Sequence, residues 1–403
     1  MMDSPQLRFK DFKLDIEYKE LKEFISLIQS GLSRQLKDED IGLPVLRSNN
    51  IQDNSIDIED IKYWYLNDPQ GANTSNYFLE KNDLLVNFIN SISQIGKSAI
   101  YQNELNRNAI LTTNIFRLRF NKLINPLYIG YFFQTKKYFD YIQSITKPAV
   151  NQASFTTKEF QKLLVPYVSI EEQTKIANFL TAVDKKILQL NEQYQLMIQY
   201  KKGVMQKIIS QEIRFKDDNG EEFGEWEERI LEDVSIIIMG SSPKSENYNE
   251  LGIGLPLLQG NADIKNRKSC PRNFTTEITK ECDVGDILMS VRAPVGYVAK
   301  AMHDACIGRG IAAIRVKENN NQEFLYQYLI YMEDIWGKFS QGSTFDSVNS
   351  EQIRNLSIFI PCLQEQTKIA DFLTKLDDKI EKVALQLEQV KMWKKGLLQQ
   401  MFV

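Results

Sequence analysis

The sequence predicts an α+β chain in which a globular domain followed by a long helix occurs twice. Three observations lead there. The segment EEQTKIANFLTAVDKKI from Glu171 returns as QEQTKIADFLTKLDDKI from Gln364, and the offset of 193 persists to Lys201-Lys202-Gly203 and Lys394-Lys395-Gly396. Over residues 172–206, 17 of 35 positions are identical, so an internal repeat sets the architecture. Both repeated segments also carry apolar residues in alternating steps of four and three. Finally, short anchors recur in the globular parts: Arg8-Phe9-Lys10-Asp11 as Arg214-Phe215-Lys216-Asp217, and Pro44-Val45-Leu46 as Pro256-Leu257-Leu258.

The first globular segment spans residues 1–168. Its run Leu84-Leu85-Val86-Asn87-Phe88-Ile89 suits a short buried strand, and residues 126–139 carry a helical pattern. Residues 169–210 form the first long helix. Its seam passes through Ile176, Leu180, Val183, Ile187, Leu190, Tyr194, Met197, Val204 and Ile208, interrupted by Lys201. Asp217-Asp218-Asn219-Gly220-Glu221-Glu222 is a polar turn opening the second globular segment, residues 211–361. There Asp286-Ile287-Leu288-Met289-Ser290-Val291 repeats the strand, and Phe324-Leu325-Tyr326-Gln327-Tyr328-Leu329-Ile330 reads as a helix. Each strand leads to a glycine, Gly96 or Gly296. Residues 362–403 form the second helix, with its seam at Ile369, Leu373, Leu376, Ile380, Val383, Leu387, Val390, Leu397 and Met401, interrupted by Lys394. Seams of this length indicate helices packed on helices, rods of about 34 residues or on the order of 50 Å. Two matched seams in one chain bury each other most simply. The alternative is that each helix covers its own domain.

At 403 residues the chain is long enough for two or three cores, and 43% hydrophobic with 25% charged residues is ordinary for a globular protein. No run approaches the roughly 20 apolar residues of a membrane helix, and the opening MMDSPQLRF lacks a signal-peptide core. Cys270, Cys282, Cys306 and Cys362 show no close pairing, which fits a reduced, cytoplasmic compartment. Net charge is −4, whereas a free-standing DNA binder is usually basic. Residues 1–168 hold 20 basic and 19 acidic side chains, and residues 211–361 hold 16 and 24. Such a balance implies weak binding to nucleic acid by this chain alone, with partners supplying positive charge.

Motifs for chemistry fail one after another. Gly96-Lys97-Ser98 ends like a nucleotide-binding loop, but Ser91 stands where the first glycine belongs. Asn67-Asp68-Pro69-Gln70 departs at two positions from an amino-methyltransferase motif. Asp184-x-Lys186 and Asp377-x-Lys379 supply half of a Mg²⁺ nuclease pattern, yet both sit beside the helical seams. His303 is the single histidine, which leaves little room for Ser-His or Cys-His nucleophiles. Cys270, Cys282, His303 and Cys306 lack a C-x-x-C pair, so scattered small core residues are the plainer reading.

What remains is recognition. Side chains suited to base edges and phosphates cluster in loops: Arg47, Asn49, Asn50, Asn151, Gln152, Gln259, Asn261, Lys265, Arg267, Lys268, Arg292, Ser343 and Thr344. The duplicated QEQTKIADFL-type segments each follow a strand-like stretch ending in Pro166 or Pro361. With Gly254-Leu255-Pro256-Leu257-Leu258 and Gly285-Asp286-Ile287-Leu288, they make the whole chain resemble the specificity subunits of type I restriction–modification enzymes. The resemblance implies two target recognition domains separated by two long helices that form an antiparallel coiled coil. It further implies double-stranded DNA as ligand, an interrupted bipartite site, and docking of two methyltransferase and two motor-nuclease (restriction) subunits. It implies no catalytic centre, metal or cofactor in this chain. S-adenosylmethionine, ATP and Mg²⁺ would belong to the partners, in a bacterial or archaeal cytoplasm. In the first domain, Val86-Asn87-Phe88-Ile89 departs from Met289-Ser290-Val291-Arg292 of the second. A specificity module of another restriction class and a coiled-coil adaptor that binds proteins are the competing expectations.

Overall fold

The computed structural model describes residues 5–13, 16–52, 54–149, 152–334, 336 and 347–402. The chain forms two compact units, Met1–Leu190 with Gln386–Val403, and Asn191–Leu385.

Each unit is organised by a sheet with four antiparallel strands, the central ones buried on both faces, and in the second unit the added edge strand Lys268–Ser269 pairs in parallel. In the first, the strand order is Ile25–Ser30, Ile115–Phe120, Leu84–Asn87, Ser98–Ile100. Leu84, Val86, Phe116 and Leu118 face one core, while Leu85, Ala99 and Ile115 face another. Two covered faces explain why Leu84-Leu85-Val86 is a continuous apolar run and not an alternating one. The second unit repeats this with Ser235–Met239, Ile311–Val316, Ile287–Ser290 and Val298–Lys300, then adds Lys268–Ser269 and Ile264–Lys265 at the edge. Its two faces carry Ile287, Met289 and Ile314 on one side and Leu288, Ala299 and Ala313 on the other. Registers agree, with Leu84 opposite Leu118 and Ile287 opposite Ile314. So does one ion pair at the strand starts. Arg119 donates to the buried Asp83 at 2.8 and 2.9 Å, and Arg315 to the buried Asp286 at 2.7 Å twice.

The helix expected over residues 126–139 is two helices, Pro126–Phe132 and Lys136–Ile145. Thr135 breaks the run because its hydroxyl donates to the Phe132 carbonyl and accepts from Tyr138 N–H, capping a new helix. At the corresponding place the second unit has Gln322–Tyr331, then a turn at Met332 and helical backbone again at Glu333 and Asp334. The two strand-end glycines have φ of +81° and +82°. A Cβ on Gly96 would lie 2.7 Å from Ile142 Cγ2, and one on Gly296 would run into the Trp336 ring.

The long helices are Ile170–Ile209 and Leu363–Phe402, 40 residues each. The repeated Glu-Gln-Thr at their starts ties each helix to a domain. Glu172 accepts both forks of Arg8 at 2.6 and 2.7 Å, and Glu365 accepts Arg214 at 3.2 and 2.7 Å. Gln173 accepts from Asn125 N–H and donates to the Val168 carbonyl; Gln366 does the same with Asn321 and Pro361. Within the first unit, Ile176, Leu180 and Val183 share a core with Leu397, Leu398, Met401 and Phe402. The start of one helix therefore meets the end of the other, an antiparallel pairing. The second unit pairs Met205 and Ile208 with Ile369, Ala370 and Leu373 in the same sense. Leu190 and Val383 are buried, whereas Ile187, Leu376 and Ile380 are half-buried. The same cores contain Phe24 and Tyr128, or Phe324 and Ile358, so each helix start covers its own domain as well as the end of the other helix.

Both interruptions of the seam are ion pairs. Lys201 donates to Asp377 at 2.6 and 2.8 Å, and Lys394 lies 2.6 Å from Asp184. The acids of the two Asp-x-Lys patterns are thereby engaged inside the helical packing.

Candidate nucleic-acid interface

In the second unit, four loops converge at one end of the sheet. Strand Leu255–Leu258 runs parallel to Ala305–Ile307, so both leave the fold at the same end. Ser241 N–H donates to Ile307 at 2.9 Å, Gly308 to Leu258 at 2.8 Å, and Val291 to Gly310 at 3.0 Å. Backbones approach this closely because glycine sits at the crossings. A Cβ on Gly240 would strike the Gly308 carbonyl, and one on Gly310 the Gln259 carbonyl. Ser241, Ser242, Gln259, Asn261, Arg292 and Arg309 are carried on these loops.

The first unit builds the same junction with different side chains. Leu32 N–H donates to Leu111 at 2.8 Å, Thr112 to Leu46 at 3.1 Å, and Phe88 to Asn114 at 3.2 Å. Thr112-Thr113-Asn114 thus occupies the place of Gly308-Arg309-Gly310. The backbone scaffold is shared, and the surface it presents is not.

Carboxylates at the second junction are already committed. Asp263 accepts from Gln259 N–H at 2.8 Å and Arg272 Nε at 2.9 Å. Glu277 accepts from Lys244 N–H and Asn247, both at 2.8 Å, and the Lys244 amide holds its carboxyl below the usual value.

The loop residues expected to face nucleic acid are dispersed. Asn49, Gln152, Lys265, Lys268 and Arg292 are exposed, and Gln259 and Asn261 are half-buried. Asn261 Oδ1 is buried and has no hydrogen-bond partner among the described residues. Arg47 donates to the Asp60 carboxylate at 2.6 Å. Asn50 is only 1% exposed; it accepts from Arg47 N–H and donates to the Asp57 and Asp60 carbonyls, capping its own loop. The Arg267 guanidinium holds Glu333 at 2.6 and 2.8 Å and the Val298 carbonyl at 2.9 Å, over the Tyr297 ring. Lys268 reaches Glu381 of the C-terminal helix at 3.0 Å. The basic run 265–268 therefore belongs to the sheet edge and not to the loop junction. Asn151, Ser343 and Thr344 lie outside the described residues.

Sequence reasoning passed over Ser241, Ser242, Arg309 and residues 112–114. The available signal was a lone Arg between two glycines immediately before a strand. Of the cysteines, Cys282 and Cys306 are buried, and burial pushes the Cys282 thiol up to about 12. No helix among the described residues is long and apolar enough to cross a membrane.

Comparison with known proteins follows the repeat. A family model described as the type I restriction modification DNA specificity domain matches twice, over residues 13–199 and 224–392. The proposed specificity subunit of the type I restriction enzyme MjaX, from Methanocaldococcus jannaschii, is 35% identical over 393 residues, 95% of this chain and 92% of that protein. The MjaVIII specificity subunit of the same organism is 24% identical over 319 residues, 73% of each. Among solved structures, the S subunit of a type I system from M. genitalium shares the fold with a TM-score of 0.64 at 14% identity, covering 100% of this chain and 99% of that one. A chain from a study of type I complex assembly gives 0.59 at 22% identity, covering 97% and 99%.

Proposed function

Because the chain belongs to the family of type I restriction–modification DNA specificity subunits, we infer that each globular domain reads one part of a bipartite DNA site. The chain is the DNA-recognition component of its restriction–modification system. The observation that carries the bipartite reading is the duplicated loop junction. The same backbone hydrogen bonds present Ser, Thr and Asn side chains in one unit and Ser, Gln and Arg in the other. Two similar scaffolds with different surfaces suit two different half-sites, as two matched modules do in dimeric DNA readers.

The helices supply the gap between half-sites. Forty residues at about 1.5 Å each make a rod of roughly 60 Å, longer than one turn of DNA. They also bear apolar groups left in water: Leu188, Met392 and Trp393 in the first unit, and Leu196, Tyr200 and Leu385 in the second. Such residues suit docked subunits, here two methyltransferase and two motor-nuclease subunits. Those partners carry S-adenosylmethionine, ATP and Mg²⁺ and add the phosphate contacts that a net charge of −4 cannot provide. This chain contributes no catalytic group, and the assembled complex acts in the cytoplasm.

The test is a domain exchange. Residues 1–168 are replaced by the matching domain of another such subunit, the methyltransferase is co-expressed, and the methylated motif is mapped across the host genome. One half of the motif should change and the other should persist. A motif altered in both halves, or no sequence-specific methylation by the unaltered chain, counts against the reading. A chain that instead captured a protein without DNA would favour the adaptor.

A further inference from the structure

Arginines divide sharply between paired and unpaired. The second globular segment, residues 211–361, holds eight. Six are in ion pairs: Arg214 with Glu365, Arg229 with Glu227, Arg267 with Glu333, Arg272 with Asp263, Arg315 with Asp286 and Arg354 with Glu232. Arg292 and Arg309 have no side-chain partner among the described residues, and both are exposed. They leave the ends of adjacent central strands. The last rung of that ladder pairs Ser290 with Ile311, Val291 N–H then bonds to Gly310 at 3.0 Å, and the two arginines come next. No carboxylate of the described residues pairs with either of them. Their arrangement suits an anion or a guanine edge brought from outside.

The backbone around Arg309 is also tied by hydrogen bonds on both sides. The Arg309 N–H donates to Ser242 Oγ at 3.1 Å, Gly308 is bonded to Leu258, and Ile311 N–H closes onto Gly308 at 3.0 Å. A side chain mounted on a fixed backbone loses less freedom when it binds. On the loop whose Gln259 and Gly260 approach Gly310, Asn261 offers a buried acceptor with no partner among the described residues. The first unit differs. Each of its arginines between residues 1 and 168 lies within ion-pair distance of a carboxylate, and Thr113 holds the place of Arg309.

We propose that Arg309 is a specificity-determining residue of the second domain, its guanidinium taking O6 and N7 of one guanine in the major groove while Arg292 holds an adjacent phosphate. The proposal rests on the reading of the second domain as a DNA reader. It makes the half-site of that domain dependent on a guanine at one position, through a fork of donors that Thr113 cannot supply to the other half.

The experiment uses the full chain assembled with its methyltransferase. The methylated motif is mapped first, and the domain exchange tells which half belongs to residues 211–361. Binding is then measured to a duplex carrying that motif, and to duplexes in which each guanine of that half is replaced by 7-deazaguanine, which lacks the N7 acceptor. One replacement should weaken the native complex on the order of ten- to a hundredfold, the range of a bidentate base contact. Arg309→Ala should weaken binding to the unmodified duplex by a similar factor and make that one replacement silent. Arg292→Ala should weaken all duplexes alike and lower the salt dependence. The proposal fails if Arg309→Ala leaves binding unchanged, if it weakens every duplex equally, or if that half of the motif contains no guanine. Absence of any methylated motif from the native complex would instead remove the DNA-reading premise.

Discussion

Replacing Asp377 by Ala should cost more stability than replacing Lys201, its partner, by Met. The pair lies where the helical seam is interrupted, with the Lys201 side chain 12% exposed and that of Asp377 41%. Desolvation holds the Lys201 ammonium below the ordinary lysine range, against the opposing pull of Asp377. Asp377→Ala leaves that ammonium with little water and also removes the acceptor of Gln327 Nε2 at 2.8 Å. An exposed pair contributes about 0–1 kcal/mol, and stripping one member from a fully buried pair costs about 3–5 kcal/mol. Intermediate burial places Asp377→Ala at roughly 1–3 kcal/mol. For a unit of this size that lowers Tm by a few degrees to about ten. Lys201→Met removes the desolvated charge and keeps an apolar stem, while Asp377 retains water and Gln327, so its cost should stay within about 1 kcal/mol. Adding Lys201→Met to Asp377→Ala should then restore part of the lost stability. Thermal and urea unfolding of the full chain, followed by circular dichroism, reads all three. Equal losses from the two single changes, or no recovery in the double variant, would refute the reasoning. The pH dependence supplies a further sign. A lysine whose folded pKa is depressed binds fewer protons in the native than in the unfolded state. Stability therefore rises with pH in the alkaline window between the two values, and Lys201→Met should lack that rise.

Other expectations are simpler. Leu373→Ala, at a site 2% exposed, should cost about 2–5 kcal/mol, whereas Leu196→Ala, 64% exposed, should leave urea unfolding unchanged and weaken methyltransferase binding in a pull-down. Gly96→Ala must adopt φ of +81° with Cβ against Ile142, so a loss of at least about 1 kcal/mol is expected in the same unfolding assay. An unchanged midpoint would mean that the strand-end turn relaxes freely.

Much of the architecture was legible in the sequence because it depends on local pattern. The repeat shows itself in residues 172–181 because Glu172, Gln173 and Thr174 each bond to a fixed partner in the domain, an arrangement used twice with the same identities. The seam was legible because helical periodicity needs only spacing. Lys201 and Lys394 looked like defects for want of their partners, which lie 176 and 210 positions away along the chain. The break at Thr135 was missed because a cap depends on where the hydroxyl points and not on apolar spacing.

The candidate interface was the least legible part, since residue type announces capacity but not availability. Arg267 and Asn50 have suitable chemistry, yet Glu333 and the Asp57 and Asp60 carbonyls occupy them. Arg309 has the same chemistry as Arg267 and remains free among the described residues. By itself the sequence determined the duplication, the helical seams, the buried strands and the family, all properties of spacing and composition repeated along the chain. Only the tertiary structure decided which polar groups satisfy one another and which loops meet at the end of a sheet. Charge pairing and backbone crossing join residues far apart in the chain, and no local pattern records those distances.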